Sequence, residues 1–379
     1  MSRGMGIIEK LLEKNIKYIS GPQWLYENVL YKKKVIAISG THGKTTTSSL
    51  VTWILKYAKL NPSYLIGGQP INLNSPAKLT SSNFFIIEAD EYDTSFFDKR
   101  SKYIHYHPNI LVINNIEFDH ADIFENIDSV VKNFHHLVRI VPKNGKIIYN
   151  YDDKNIRKLI KKGIWSKEIS MTSKNYKSAN WSLSKKGNSF FLSKIKAKTS
   201  SSKMIESSLL GIHNYKNISL AILASMQAGV SFSMCINAIK KFKGVKRRME
   251  KVENKGMLQI YDDFAHHPTE IESSIKSLKE NFRGEKILSI CEIKSHSMIS
   301  GTHKKDLPIA LGHSHYSIII KPPLLKWTLS SKDKNLYVVD SYDKAIEFIS
   351  KIRNKIDIIL IMSNKSTVNL RSYIKNEKN

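Results

Sequence analysis

Apolar residues in this chain fall into short unbroken runs, and several of these runs end in a polar cluster. Val35–Ser39, Phe84–Glu88 and Ile110–Asn114 show no alternation, as expected of strands buried on both faces of a parallel sheet. Lys146–Asn150 reads as another strand. Helical spacing follows Lys44 to about Tyr57 and recurs over Asp128–Ile140. Ahead of the first strand, Ile7–Asn15 and Gln23–Tyr31 predict two helices separated by a loop holding Gly21-Pro22. Residues 151–207 are polar and Ser/Lys-rich. Their alternating pieces WSLS and SFFLSKIK predict a few antiparallel strands. An apolar helix follows over Gly211–Gly229.

The basic stretch Lys241–Glu250 reads as a linker and a domain boundary. From Met257 a second alternation starts: LQIYDDF, a helix near Pro268–Asn281, KILSICE, YSIII, LYVVD, a helix near Asp343–Arg353, and DIILIM. That order predicts an open parallel sheet with helices on both faces. A length of 379 residues fits two or three domains rather than one core.

Composition changes this picture little. Hydrophobic residues make up 41% and charged residues 25%, as in an ordinary globular protein. No apolar run approaches the ~18 residues of a membrane span, and the N-terminus has no signal-peptide pattern. The expected location is cytoplasmic, with no membrane partner. Cys235 and Cys291 lie far apart in apolar runs and read as buried free thiols. The net charge of +27 raises the possibility of nucleic-acid binding. The lysines are spread along the whole chain without a block or an aromatic–basic module, so compositional drift accounts for them and no nucleic-acid partner is expected.

The sharpest chemical signal is Gly40-Thr41-His42-Gly43-Lys44-Thr45-Thr46 between a buried strand and a helix. Glycines allow a tight turn whose N–H groups converge, and the helix start adds positive potential, so phosphate binds there. The run is two residues shorter than the usual G-x-x-x-x-G-K-[ST]. Lys44 would reach the β- and γ-phosphates and Thr45 would ligate Mg²⁺. Glu88-Ala-Asp-Glu-Tyr-Asp93 places four acids at the next strand end, either as Mg²⁺ ligands or as a solvated loop. Asn115-Ile-Glu-Phe-Asp-His120 ends a third strand, and His120 reads as a second metal ligand, an acid/base group or a structural histidine.

Other histidines carry less. His105 and His107 sit two apart on a predicted strand, hence on one face, and His135-His136 on a helix, but no Cys/His spacing supports zinc. Asp263, ahead of His266-His267-Pro268, reads equally as a hydrogen-bond acceptor for a ribose or an amine and as a helix cap. Gly211-Ile-His213-Asn214-Tyr-Lys-Asn217 reads as capping or as a nucleotide-base contact.

Taken in order, the motifs resemble the Mur ligase family of ATP-dependent amide ligases. They are Gly40–Thr47, Glu88-Ala-Asp-Glu91, Asn115…Asp119-His120, Gly211…Asn217, Gly244…Arg247-Arg248 and Asp262-Asp-Phe-Ala-His-His-Pro268. Ser20–Leu25, Glu91–Lys102, Glu117–Phe124, Asn133–Val138 and Tyr261–Thr269 are similar to the branch that acts on murein peptides. The resemblance covers residues 1–300 and thins afterwards. It implies a remnant of a UDP-binding domain over 1–33, a central P-loop-type ATPase domain with a mostly parallel sheet over 34–248, and a C-terminal Rossmann-like α/β domain over 249–379.

It further implies a reaction. The γ-phosphate of ATP passes to the lactyl carboxylate of UDP-N-acetylmuramate, and the amine of the tripeptide L-alanyl-γ-D-glutamyl-meso-diaminopimelate attacks the acyl phosphate, in peptidoglycan recycling. The resemblance makes Lys44, Glu88 and His120 catalytic, and gives Thr45, Glu88 and His120 the Mg²⁺. It puts His213, Asn214 and Asn217 around the adenine. Arg248 and Asp263 complete the nucleotide site, with 241–250 as a hinge.

This sequence departs from the family pattern in three places. Only 33 residues precede the first ATPase strand, whereas a UDP-binding domain needs on the order of 100. The expectation is an upstream start or a lost uridine site. Lys294 in Glu292–Met298 replaces an arginine that would grip a carboxylate with two donors. Ser363–Asn369 replaces a glycine-rich stretch. Both changes bear on tripeptide recognition. The competing readings are the sister ligase that adds L-alanine and a nucleotide-binding remnant without ligase activity.

Overall fold

The unbroken apolar runs do form buried parallel strands. The computed structural model describes the chain except Met1, residues 196–201 and 253–257, Leu324, Lys326, residues 329–334 and 377–379, and the side chains of Lys375 and Asn376. Lys196 of SFFLSKIK and Met257 therefore lie outside the described residues. The chain divides into two compact units. One comprises Met1–Phe118, Ile123–Ser207 and Lys216–Phe242; the other comprises Asp119–Asp122, Ser208–Tyr215 and Lys243–Asn379.

The sheet of the first unit has ten strands among the described residues: β1 (Lys34–Ser39), β2 (Ser63–Leu65), β3 (Ala77–Lys78), β4 (Phe84–Glu88), β5 (Ile110–Ile113), β6 (Lys146–Asn150), β7 (Lys167–Thr172), β8 (Trp181–Lys186), β9 (Ser189–Lys194) and β10 (Lys203–Ile205). Their order is β10-β9-β8-β7-β6-β5-β1-β4-β2-β3. Pairing is parallel from β2 through β4, β1, β5, β6 and β7 to β8. It is antiparallel for β8–β9, β9–β10 and β2–β3. Ile38 pairs with both Glu88 and Val112, so the ends of β4 and β5 flank the end of β1. Side chains alternate along β1, and both faces are covered. Val35 and Ala37 pack in one core with Phe85, Leu111, Val131, Phe134 and Leu159. Helix Lys44–Tyr57 buries Leu50, Val51, Ile54 and Leu55.

Three expectations need correction here. His105 and His107 are not on a strand. Lys102–Tyr106 is a 3-10 turn, where three residues make a turn and positions two apart diverge. His105 is buried against Asp98 at 2.8 Å, whereas His107 stacks on Tyr26 with ring centroids 4.3 Å apart. Residues 151–207 hold a helix as well as strands. Asp153 caps Lys154–Lys161 by accepting from the N–H groups of Asn155 and Ile156. Finally, β7 joins the parallel part of the sheet.

The second unit has β11 (Glu250–Val252), β12 (Gln259–Asp263), β13 (Ile287–Glu292), β14 (Tyr316–Ile320), β15 (Leu336–Val339) and β16 (Ile358–Met362) in the order β11-β12-β16-β13-β14-β15. All pairs except β11–β12 are parallel. Helix Pro268–Asn281 packs Ile271, Ile275 and Leu278 on the face carrying Tyr261, Cys291 and Leu360. Helix Tyr342–Ile352 packs Ala345 and Ile349 on the face carrying Ile260, Ile290 and Ile361. This is the expected sheet with helices on both sides.

Candidate functional site

The glycine turn leaves β1 at Gly40 and enters its helix through Gly43. Gly43 has φ +77°, the left-handed region that a side chain resists. A Cβ there would also stand 2.6 Å from Asn217 Oδ1 and 2.9 Å from Asn114 Nδ2, so glycine is required twice over. The turn is tied to the residues after β5. The Thr41 N–H donates to the Asn115 carbonyl at 3.1 Å, and the His42 N–H donates to Asn115 Oδ1 at 2.8 Å. The Glu117 N–H donates to Thr41 Oγ1 at 2.9 Å, and Asn114 Nδ2 donates to Thr47 Oγ1 at 3.0 Å. The positive end of a 14-residue helix thus begins at a rigid backbone turn, the arrangement that binds phosphate.

The acids after β4 reach the same place. Thr45 Oγ1 donates to Glu88 Oε1 at 2.9 Å, and Glu88 Oε2 accepts from the Gly67 N–H at 2.8 Å. Lys44 Nζ lies 2.8 Å from Glu91 Oε2 and 3.6 Å from Asp90 Oδ1. Burial alone would lower the Lys44 pKa, but the carboxylates of Glu91, Asp90 and Glu88 outweigh it and hold the value above the ordinary range. Glu91 was part of the acidic cluster in the sequence but was not singled out as a site residue. The donors here are a hydroxyl and carboxylates, hard oxygen ligands that suit Mg²⁺.

His213, Asn214 and Asn217 all lie on helix Ile212–Gln227, which is divided between the two units. Asn217, in the first unit, is buried below the turn, with Asn114 Nδ2 donating to its Oδ1 at 3.4 Å. His213 and Asn214 belong to the second unit. There His213 Nδ1 lies 3.5 Å from Ser277 Oγ, and Asn214 Nδ2 donates to the Leu210 carbonyl at 2.8 Å.

In the second unit, Asp263 ends β12 and is buried. Burial pushes its carboxyl up to about 6, against the Ser274 hydroxyl that donates to it at 2.5 Å and the charge of Arg248. The Arg248 guanidinium stands over the Phe264 ring at 4.7 Å. His267 caps helix Pro268–Asn281. His120 is held with φ +55°, its N–H donating to Asp119 Oδ1 at 2.7 Å. Asp119 also accepts from the Ser297 hydroxyl at 2.7 Å. Burial would raise the Asp119 pKa, yet His120 and that hydroxyl bring it down to about 2.

A separate cavity of about 230 Å³ lies at the carboxyl ends of β13 and β14. Glu292, Lys294, Lys321, Asp340 and Tyr342 contribute its polar lining. Glu292 accepts from Tyr342 Oη and from Ser363 Oγ, each at 2.7 Å, and Lys294 Nζ stands 3.4 Å away. Both segments that depart from the family pattern therefore meet at Glu292.

Residues 38–225 match the Mur ligase middle domain and residues 247–365 match the Mur ligase glutamate ligase domain. The UDP-N-acetylmuramate–L-alanyl-γ-D-glutamyl-meso-2,6-diaminoheptandioate ligase of Escherichia coli K12 is 38% identical over 369 residues, 96% of this chain and 80% of that protein. A UDP-N-acetylmuramate–L-alanine ligase of Caldicellulosiruptor bescii is 34% identical over 281 residues, 70% of this chain and 57% of that protein. The crystal structure of a murein peptide ligase from Psychrobacter arcticus superposes with a TM-score of 0.72 at 33% identity, covering all of this chain (100%) and 85% of that one.

Proposed function

This chain belongs to the Mur ligase family, and we propose that it joins L-alanyl-γ-D-glutamyl-meso-diaminopimelate to UDP-N-acetylmuramate with ATP, returning recovered tripeptide to wall synthesis. The observation that carries the reading is the meeting of Lys44, Thr45, Glu88 and Glu91 at the glycine turn. An oxygen of the lactyl carboxylate attacks the γ-phosphorus, the bond to the bridging oxygen breaks, and ADP leaves. The tripeptide amine then attacks the acyl carbon, loses a proton, and phosphate departs. A carboxylate is a poor electrophile, and phosphorylation supplies its leaving group.

In this reading the turn's N–H groups and Lys44 hold the phosphates and stabilise charge as it develops. Gly40, Thr41, His42, Gly43 and Thr46 shape that cradle. Thr45 and Glu88 would hold Mg²⁺, which supplies further neutralisation of the phosphates. For His120, His213, Asn214, Asn217, Arg248 and Asp263, roles in metal or nucleotide binding rest on the family resemblance of their motifs. The cavity beside Glu292 and Lys294 would receive the charged far end of the tripeptide. No helix among the described residues is long and apolar enough to cross a membrane, and in this reading the reaction runs in the cytoplasm.

Substrate choice tests the reading. Phosphate release with ATP, Mg²⁺ and UDP-N-acetylmuramate is expected with the tripeptide and not with free L-alanine. Preference for L-alanine would assign the sister activity, and release with neither would leave a nucleotide-binding remnant.

A further inference from the structure

The acidic motif after β4 is followed by a loop that returns to it. Asp93 and Ser101 form an isolated antiparallel bridge. The Thr94 N–H donates to the Arg100 carbonyl at 3.0 Å, and the Lys102 N–H donates to the Tyr92 carbonyl at 2.9 Å. Inside the loop, Asp98 accepts both prongs of the Arg100 guanidinium at 2.9 and 2.8 Å and also contacts His105 at 2.8 Å. Such paired, charge-assisted bonds fix a loop's shape.

The braced return delivers Lys102 to the phosphate site. Its Nζ lies 3.4 Å from Asp90 Oδ2, while Lys44 Nζ lies 3.6 Å from Oδ1 of the same carboxylate. One carboxylate is therefore shared by two ammonium groups. They differ in access: the Lys44 side chain is 12% exposed and lies against Glu91, whereas Lys102 is 36% exposed and Asp90 31%.

We propose that Lys102 binds the reacting carboxylate of the acceptor substrate, holding it beside the phosphate gripped by Lys44. The role rests on the ligase reading and adds a residue to it. In the first step one anion must approach another, and a fixed cation on each side of the forming O–P bond removes the repulsion. Lys102 exchanges Asp90 for the incoming carboxylate, while Asp90 keeps Lys44. The acceptor oxygen gains the phosphoryl group, and the bridging oxygen leaves with its electron pair on ADP, with no proton passing through Lys102.

The test is steady-state phosphate release by the full chain, varying UDP-N-acetylmuramate and ATP separately at saturating tripeptide. Lys102→Met is expected to raise the acceptor KM about tenfold or more and leave the ATP KM within about twofold, the loss of one charge-assisted contact. Lys102→Arg is expected to keep most of the acceptor affinity. An unchanged acceptor KM in Lys102→Met or a parallel rise in the ATP KM would overturn the proposal. Should Lys102→Met fail to fold, calorimetric titration of UDP-N-acetylmuramate into Lys102→Gln carries the same decision, with weaker binding expected and equal binding contradicting it. No turnover by the unsubstituted protein would contradict the ligase reading itself, and this role with it.

Discussion

The ammonium of Lys44 lies 2.8 Å from the carboxylate of Glu91, with side-chain exposures of 12% and 3%. A buried lysine ordinarily loses its proton more easily, and here neighbouring carboxylates reverse that tendency. The ammonium at the glycine turn is thus kept charged by an acid of the neighbouring cluster.

Glu91→Gln is expected to cost about 1–3 kcal/mol of stability, because Lys44 loses its shortest buried ion pair but keeps Asp90 beside it. The folded pKa of Lys44 lies above its ordinary 10.5. The stabilisation is therefore complete below 10.5 and disappears as pH rises through the folded value. Urea unfolding at pH 7 and pH 11 should show a larger pH-dependent loss in the unsubstituted protein than in the variant. Equal losses would remove the pair from the account.

Gly43→Ala tests the turn. The positive φ alone costs about 1–2 kcal/mol in any residue with a Cβ. The added methyl also meets Asn217 and Asn114 below van der Waals distance. The fold should survive with a lower melting temperature, and the KM for ATP should rise at least about tenfold because the N–H groups no longer converge. Circular dichroism and ATP titration of phosphate release check both parts.

Asp263 gives the second unit a pH dependence. Its carboxyl is raised from 3.8 to about 6 by burial. The folded state therefore holds the proton more tightly, and stability falls as pH rises from about 4 through 6, by about 3 kcal/mol at most from this group. Asp263→Asn should flatten the unfolding free energy across that window. An unchanged slope would show that Asp263 is not the group responsible.

Lys294 lies 3.4 Å from Glu292 at the cavity below Tyr342. A guanidinium would present two parallel donors where the ammonium presents a point charge. Lys294→Arg is expected to lower the KM for tripeptide, and Lys294→Met to raise it, with ATP affinity constant in both. Tripeptide titration of phosphate release reads this out.

Much of the scaffold was legible because buried parallel strands leave unbroken apolar runs. β4 and β6 match the expected residues, and helix Pro268–Asn281 matches at both ends because His267-Pro268 marks its start. The edge strands Ser63–Leu65 and Ala77–Lys78 are too short to show a period. Helix Phe232–Lys240 went unseen although Ser231 caps it, because apolar residues dominate the region. Within the site, the turn, Lys44 and Thr45 were legible from spacing, whereas Glu88 was singled out only by the family resemblance. Glu91 was not separable from its three acidic neighbours, since which acid meets the lysine depends on how the chain leaves β4. Lys102 was hidden for a related reason: its approach to Asp90 depends on a bridge between Asp93 and Ser101 that no periodicity records.

The most direct test of the account is phosphate release from ATP in the presence of Mg²⁺, UDP-N-acetylmuramate and tripeptide, compared between the unsubstituted chain and Lys44→Ala. The account predicts turnover in the first and a loss of at least about a thousandfold in the second, because the charge developing on the transferred phosphoryl group loses its fixed cation. Turnover in Lys44→Ala equal to that of the unsubstituted chain would contradict a triphosphate seated in the glycine turn.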